Sequence, residues 1–249
     1  MPSSPSRQVR ATQIEALIAR PFAHRGLHGD GRIENSRAAF EAALAAGSGI
    51  ELDVQASADG EAMVFHDYEL GRLTDGFGAL RTLGSTELQR VRLKGSDETI
   101  PTLLEILALI GGRAPLLIEL KSPGRRVAQL CRAVQNALYA YQGPVAAMSF
   151  NPEIGQHFAR EAPLVLRGLV VTEERKKGLR GMIERPLALW RSRADFLAYD
   201  IRDLPSPFAG AQRAKGMKVL TWTVRSAADR ARAADHADQI IYEAERPGP

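Results

Sequence analysis

The stretch Ile50-Glu51-Leu52-Asp53-Val54-Gln55-Ala56-Ser57-Ala58-Asp59-Gly60-Glu61-Ala62-Met63-Val64-Phe65-His66 decides the fold of this chain. Its two ends are short apolar runs that read as strands, and Asp59-Gly60 between them is a turn signal. A parallel pair needs a crossover of about a dozen residues or more, and this connection has no room for one. The two runs therefore read as an antiparallel hairpin. With the turn near Ala58–Asp59, Glu51 falls opposite His66, and Glu51 and Asp53 share a face because strand side chains alternate. The hairpin thus gathers Glu51, Asp53 and His66, a convergence that a slip of one residue would undo.

Outward from the hairpin, strand-like runs alternate with helical periods. The runs are Phe22–His24, Ile50–Val54, Met63–His66, Leu116–Leu120, Val145–Phe150, Leu164–Val171, Phe196–Tyr199, Val219–Val224 and Gln239–Tyr242. The helical periods are Ser36–Ala46, Leu103–Ile110, Arg125–Tyr139, Pro152–Arg160, Pro207–Lys215 and Ala227–Ala234. Leu103, Ile106, Leu107 and Ile110 fall on one face, Pro101-Thr102 opens that helix, and Gly111-Gly112 stops it. With the second hairpin strand set aside, eight strands remain in β-then-α order. This predicts an α/β fold, a closed TIM (β/α)8 barrel, as a single domain over residues 1–249. Residues 67–100 fit no βα unit. Their glycines and a short helical piece around Ser85–Arg90 predict a lobe inserted after His66, over the strand ends.

Bulk properties exclude several classes. The chain has 249 residues, 45% apolar and 25% charged, as an ordinary globular domain has. Its one cysteine, Cys131, rules out an intramolecular disulfide and sits on an apolar helical face, as a core thiol does. The first twenty or so residues lack a signal-peptide core, and no apolar run approaches membrane-spanning length. The expectation is a cytoplasmic protein without a stable membrane anchor. Net charge is +4, but the charges are scattered, and the densest cluster, Glu173-Glu174-Arg175-Lys176-Lys177, carries both signs. Without a basic stripe interleaved with aromatics, a nucleic-acid partner is not expected, and that cluster reads as solvated surface.

The strand ends carry the chemistry. His24-Arg25-Gly26, Glu51-Leu52-Asp53, His66-Asp67 and Glu119-Leu120-Lys121 each lie at or near one, where parallel-sheet enzymes assemble their sites. Three carboxylates packed together would not all stay ionised without a cation. A hard divalent ion, Mg²⁺ or Ca²⁺, suits Glu51, Asp53 and Glu119, whereas zinc lacks its usual ligands here. The competing reading is that these acids pair with basic neighbours such as Lys121. His24 and His66 facing each other across a phosphate would serve as acid and base. Arg25 offers a planar fork suited to phosphate, and Gly26 lets the backbone turn and approach a ligand. Lys121 could pair with the carboxylates or offset charge on a phosphoryl oxygen. Trp222 reads equally as a core aromatic or a pocket wall. His157 and His236 read as surface residues, and His28 has no assigned part.

The ordered motifs resemble the glycerophosphodiester phosphodiesterase family. They are His24-Arg25-Gly26, Glu34-Asn35-Ser36, Glu51-Leu52-Asp53-Val54, Asp59-Gly60, His66-Asp67, Leu70, Arg72-Leu73-Thr74 and Gly76. Ile100-Pro101-Thr102-Leu103, Ile118-Glu119-Leu120-Lys121, Ser149-Phe150 and Trp222-Thr223-Val224 complete the set. Each is weak alone, but their order is specific, and it spans nearly the whole chain from Phe22. The resemblance implies a TIM barrel with a small insertion after the second histidine. It implies hydrolysis of glycerophosphodiesters to glycerol 3-phosphate and an alcohol. His24 and His66 match the acid/base pair, and Glu51, Asp53 and Glu119 the divalent-metal ligands. Arg25 and Lys121 match phosphate-holding residues, and Trp222 an aromatic near the small-molecule substrate. Ile33 stands where the family has proline, and the segment from Ile241 to Pro247 is longer than the family pattern. Two rival readings are a lysophospholipase D acting on lysophospholipids and a non-catalytic phosphate-binding barrel.

Overall fold

The structure is a computed structural model that describes residues 6–174 and 178–244. Its strands are β1 (Phe22–Ala23), β2 (Gly49–Ala56), β3 (Ala62–Val64), β4 (Leu116–Leu120), β5 (Val145–Ser149), β6 (Leu166–Val171), β7 (Phe196–Asp200), β8 (Lys218–Val224) and β9 (Gln239–Tyr242). All but β3 run parallel, in the ring order β1-β2-β4-β5-β6-β7-β8-β9, and β9 closes the ring against β1. This is a TIM barrel, as the alternation of strand and helix signals predicts.

The helices are α1 (Arg7–Leu17), α2 (Arg37–Ala45), α3 (Ser85–Leu88), α4 (Leu103–Ile110), α5 (Ala128–Leu138), α6 (Pro152–Glu161), α7 (Leu179–Ser192), α8 (Pro207–Ala214) and α9 (Ala227–His236). Six are capped by a side chain that accepts from a backbone N–H of the first turn. In α4, Thr102 accepts from the Glu105 N–H and Gly111 ends the helix as its C-cap. Two helices escape the sequence reading. In α7, Gly181 and Pro186 interrupt the pattern, and a proline inside a helix costs about 3 kcal/mol. In α1, a mostly polar segment hides Ile14, Leu17 and Ile18, which pack beneath the barrel interior with Phe22, Leu117 and Phe196.

Strand alternation divides the barrel into zones. On β2, Ile50, Leu52 and Val54 face outward into the layer shared with α2, α4 and α5. Glu51, Asp53 and Gln55 take the other face. The lower interior is filled by Leu117, Ala146, Met148, Leu166, Phe196, Ala198, Leu220 and Ile241. Burial of these chains drives the barrel together and leaves polar groups only near the strand ends. Within 67–100, Leu70, Leu80, Leu88, Leu93 and Ile100 cluster with Met63 and Phe65. The Asp59 carboxylate accepts from the Ser85 N–H at 2.9 Å and the Ser85 hydroxyl at 2.7 Å, tying the hairpin turn to α3.

The hairpin is antiparallel as expected, but its register differs by one residue. Val54 pairs with Val64, Gln55 with Met63 and Ala56 with Ala62, so the turn centres on Asp59. The Ser57 N–H donates to the Glu61 carbonyl, and Gly60 turns the chain at φ +90°. Continued pairing would set His66 opposite Leu52, on the outer face. The pairing stops one bond beyond β3, with the Phe65 N–H donating to the Asp53 carbonyl at 3.1 Å. The Gln55 side-chain amide donates to the carbonyls of Phe65, His66 and Asp67, at 3.0, 3.0 and 2.7 Å. That clamp, and not the pleat, returns His66 to the site.

Gly26 turns the chain after β1 as expected, but it is not a turn residue alone. A Cβ there would lie 2.8 Å from the Ala39 backbone carbon, and its φ is +77°. The close approach of helix α2 by itself requires a glycine here. Glu173 is not loose surface either. Its carboxylate accepts from the Tyr199 hydroxyl at 2.5 Å and the Ser206 hydroxyl at 2.6 Å. Arg175, Lys176 and Lys177 of the same cluster lie outside the described residues, as do Arg246 and Pro247. Cys131 is buried, and burial raises its thiol to about 12. His157 and His236 are half-buried on α6 and α9. Among the described residues, no helix is long and apolar enough to cross a membrane.

Candidate active site

Glu51, Asp53 and Glu119 converge at the strand ends of β2 and β4, where Asp53 and Glu119 are direct neighbours in the parallel register. One carboxylate oxygen from each lies within 4.8 Å of the others. All three acids are at most 9% exposed. Burial and then the charges of Asp53 and Glu119 push Glu51 well above the ordinary carboxylate range. Burial also pushes Glu119 up, against the pull of Lys121. At Asp53 burial is outweighed by Lys121 and Arg25, and its carboxyl sits well below its usual value. An all-oxygen set in which two of three acids resist ionisation fits a hard divalent cation.

The ion-pair reading holds beside the metal reading. Lys121 lies 2.7 Å from Glu119 and 3.1 Å from Asp53. Arg25 donates its backbone N–H to Glu51 at 3.0 Å and its Nη1 to Glu34 at 2.7 Å. Its Nε comes within 3.2 Å of Asp53 yet is buried and makes no hydrogen bond. Glu34 is shared by Arg25 and Arg72, so Arg25 and Lys121 are two cations against the three central acids, and with all three ionised one negative charge is left over. Asn35 grips Asp53 twice, accepting from its N–H at 3.2 Å and donating to its carboxylate at 2.9 Å. Arg25 and Asn35 both hold positive φ, 55° and 59°, which non-glycine residues adopt at some cost.

Each histidine is held by one nitrogen. His24 Nδ1 lies 2.8 Å from Glu243, and its Nε2 lies 3.9 Å from Glu51. His66 Nδ1 lies 2.6 Å from Asp67. Glu243 and Asp67 are both held below their usual values, despite burial, by hydrogen bonds from histidine and arginine. A carboxylate only accepts, so each histidine carries its proton on Nδ1 and presents a bare Nε2. Burial lowers the pKa of both rings, more than Glu243 and Asp53 raise them, so both are neutral near pH 7. Arg72 ties Asp67 to Glu34, and through Glu34 to Arg25.

A cavity of about 510 Å³ joins His24, Arg25, Glu51, His66, Glu119 and Lys121. Trp222 walls it, its indole N–H donating to the Ala198 carbonyl at 2.9 Å and its ring meeting Phe150 edge-on at 5.5 Å. It is both partly buried against the interior and part of the pocket, so the two sequence readings of Trp222 meet. A wider cleft of about 960 Å³ continues past His66, Tyr68 and Lys121 toward Asn151. His28 lies by His24 and Glu243.

Every candidate residue from the sequence thus reaches one end of the barrel. Gln55, Asn35, Arg72 and Glu243 were not singled out. Glu34, Asn35 and Arg72 stand in quoted motifs, but only the fold shows Glu34 and Asn35 touching Arg25 and Asp53, and Arg72 touching Glu34 and Asp67. Glu243 lies 219 positions from His24 and carried no local signal.

The fold and site together define a TIM-barrel hydrolase with an acidic, histidine-flanked centre. The model of the glycerophosphoryl diester phosphodiesterase family matches residues 24–241. A glycerophosphodiester phosphodiesterase of Caldanaerobacter subterraneus subsp. tengcongensis is 31% identical over 209 residues, 77% of this chain and 80% of that protein. An Oleispira antarctica phosphodiesterase, solved in complex with the product sn-glycerol-3-phosphate, is 26% identical with a TM-score of 0.78, covering 89% of this chain and 91% of that one. A putative glycerophosphoryl diester phosphodiesterase from Silicibacter pomeroyi shares the fold, with a TM-score of 0.76 at 24% identity over 93% of each chain. The chain belongs to the glycerophosphoryl diester phosphodiesterase family and is a phosphoric diester hydrolase. The non-catalytic barrel falls away as a rival.

Proposed function

We propose that this enzyme hydrolyses glycerophosphodiesters to glycerol 3-phosphate and an alcohol. The observation that carries this reading is the meeting of three buried carboxylates with two neutral, carboxylate-oriented histidines in one cavity. In this reading residues 67–100 form a lobe inserted into a single barrel domain. Glu51, Asp53 and Glu119 would hold Mg²⁺ or Ca²⁺, which would supply Lewis-acid polarisation of the phosphoryl group and a lowered pKa for the nucleophile. Arg25 offers its guanidinium, and Lys121 its ammonium, to the phosphoryl oxygens at the cavity they both line. One histidine Nε2 takes the proton of the attacking hydroxyl, either water or the neighbouring glycerol hydroxyl; in the second case a cyclic phosphate forms first and a water then opens it to glycerol 3-phosphate. The other histidine, protonated in the substrate complex, gives its proton to the departing alkoxide as the phosphorus–oxygen bond breaks. Trp222 and Phe150 shelter the substrate from water.

A second substrate, a lysophospholipid, is favoured by one feature. Phe150 also borders an apolar cavity of about 450 Å³ lined by Leu169, Val171 and Leu187, where an acyl chain could lie.

The test incubates the protein with glycerophosphocholine or lysophosphatidylcholine, with Mg²⁺, Ca²⁺ or EDTA, and measures glycerol 3-phosphate, lysophosphatidic acid and choline. Glycerol 3-phosphate and choline should form with a divalent ion and not with EDTA. His24→Ala and His66→Ala should each lose about 10²–10⁴-fold in rate. No turnover of either diester with either metal would sink the activity, and wild-type rates in both variants would sink the mechanism.

A further inference from the structure

Helix α7 carries an apolar stripe that nothing among the described residues covers. Leu179, Met182, Ile183, Leu187 and Trp190 recur at helical spacing and are between 56% and 78% exposed. With the exposed Pro186 they form one continuous face along the helix. Five large apolar side chains aligned this way are more than the scattered exposure of an ordinary surface. The surroundings of the stripe are basic. From Leu179 to Arg193 the sequence holds four arginines and one glutamate, although Arg180, Arg185 and Arg191 are paired with Glu184, Glu173 and Glu153. The neighbouring groove between α5 and α6 is lined by Arg125, Arg126, Arg132 and Arg160, all exposed, with Glu153 and Glu161 as its acids. Glu153 is already engaged by Arg191 at the edge of α7. Helices α5, α6 and α7 are consecutive on the barrel wall, about 8–10 Å apart when packed.

We propose that this flank of the barrel docks reversibly on an anionic lipid surface. The α7 stripe enters the interface between headgroups and acyl chains, and the arginines of the α5–α6 groove meet the phosphates. An apolar face bearing tryptophan, edged by arginine, is the pattern of helices that lie in a membrane interface. A second copy of the chain is the poorer occupant, because two-fold pairing would set this positive flank against itself. Lipid docking also places the catalytic mouth beside the lipid, since Phe150 is shared by the catalytic cavity and the cavity under α7. The inference stands apart from the proposed hydrolysis and is tested without it.

The experiment is flotation of the full chain with vesicles of phosphatidylcholine, alone or mixed with phosphatidylglycerol. Binding to the mixed vesicles should be about tenfold stronger or more. The double variant Met182→Glu, Ile183→Glu should lose about tenfold or more of it while keeping its circular dichroism spectrum. Arg132→Glu with Arg160→Glu should remove the preference for phosphatidylglycerol. Tryptophan emission should shift to the blue on mixed vesicles, and Trp190→Phe should abolish that shift. Absence of binding by the wild type overturns the proposal, as does undiminished binding by the double glutamate variant. A dimer in sedimentation that the glutamate variant dissolves, with no vesicle binding, would assign the face to a second copy instead.

Discussion

Replacing Glu243 by glutamine tests the part of the site that lies farthest in sequence from its partner. Glu243 accepts from His24 Nδ1 at 2.8 Å in a setting where both side chains are only 12% exposed. Charge-assisted bonds of this kind are worth about 1.5–3 kcal/mol. The bond strengthens when His24 becomes an imidazolium, so its loss falls on the transition state. At about 1.4 kcal/mol per decade, kcat/KM should drop about 10–150-fold in Glu243→Gln, with KM little changed. The pH profile should move as well. Burial lowers the His24 pKa and Glu243 partly restores it, so removing the carboxylate lowers it further. The limb governed by His24 therefore shifts to lower pH. If His24 is the base it is the acidic limb, and if it is the acid it is the alkaline limb. Steady-state kinetics between pH 5 and 9 on glycerophosphocholine would measure both effects. A variant within twofold of wild type, with both limbs unmoved while His24→Ala is inactive, would refute the positioning role of Glu243.

Two further outcomes concern stability. Gly26→Ala must place a residue at φ +77° and a Cβ 2.8 Å from the Ala39 backbone. Strain of about 1–2 kcal/mol and overpacking of about 1–3 kcal/mol give a loss of about 2–5 kcal/mol, readable as a lower urea midpoint. A loss under about 1 kcal/mol would mean that α2 moves aside freely. Glu51→Gln removes an acid held far above its ordinary range, and such an acid costs stability that grows as pH rises through its folded pKa. In EDTA at neutral pH the variant should melt about 2–4 °C higher than wild type, and the rise on adding Mg²⁺ or Ca²⁺ should shrink. A lower melting temperature in EDTA would contradict the like-charge reading.

Much of this architecture is legible in the chain because the barrel repeats a local pattern. Leu116–Leu120 and Gln239–Tyr242 are strands over their predicted spans, and Leu103–Ile110 is a helix over its own, since apolar period and caps agree there. α7 is less legible because Pro186 argues locally against a helix that packing against α6 sustains. The hairpin shows the limit within a single motif. Asp59-Gly60 announces the turn, but the register depends on which residue sits at its apex, and a shift of one reverses every face.

By itself the sequence determined that two histidines, three carboxylates, Arg25 and Lys121 would come to strand ends, because alternation and short βα connections are local properties. Their meeting in one cavity was decided by closure of the ring, which sets β9 beside β1 and Glu243 beside His24. The Gln55 clamp on His66, the grip of Asn35 on Asp53 and the approach of α2 to Gly26 were likewise tertiary. These contacts join residues whose separation is bridged only when the apolar interior packs. No local preference encodes them, and their energies arise from burial and hydrogen bonds that exist only in the closed barrel.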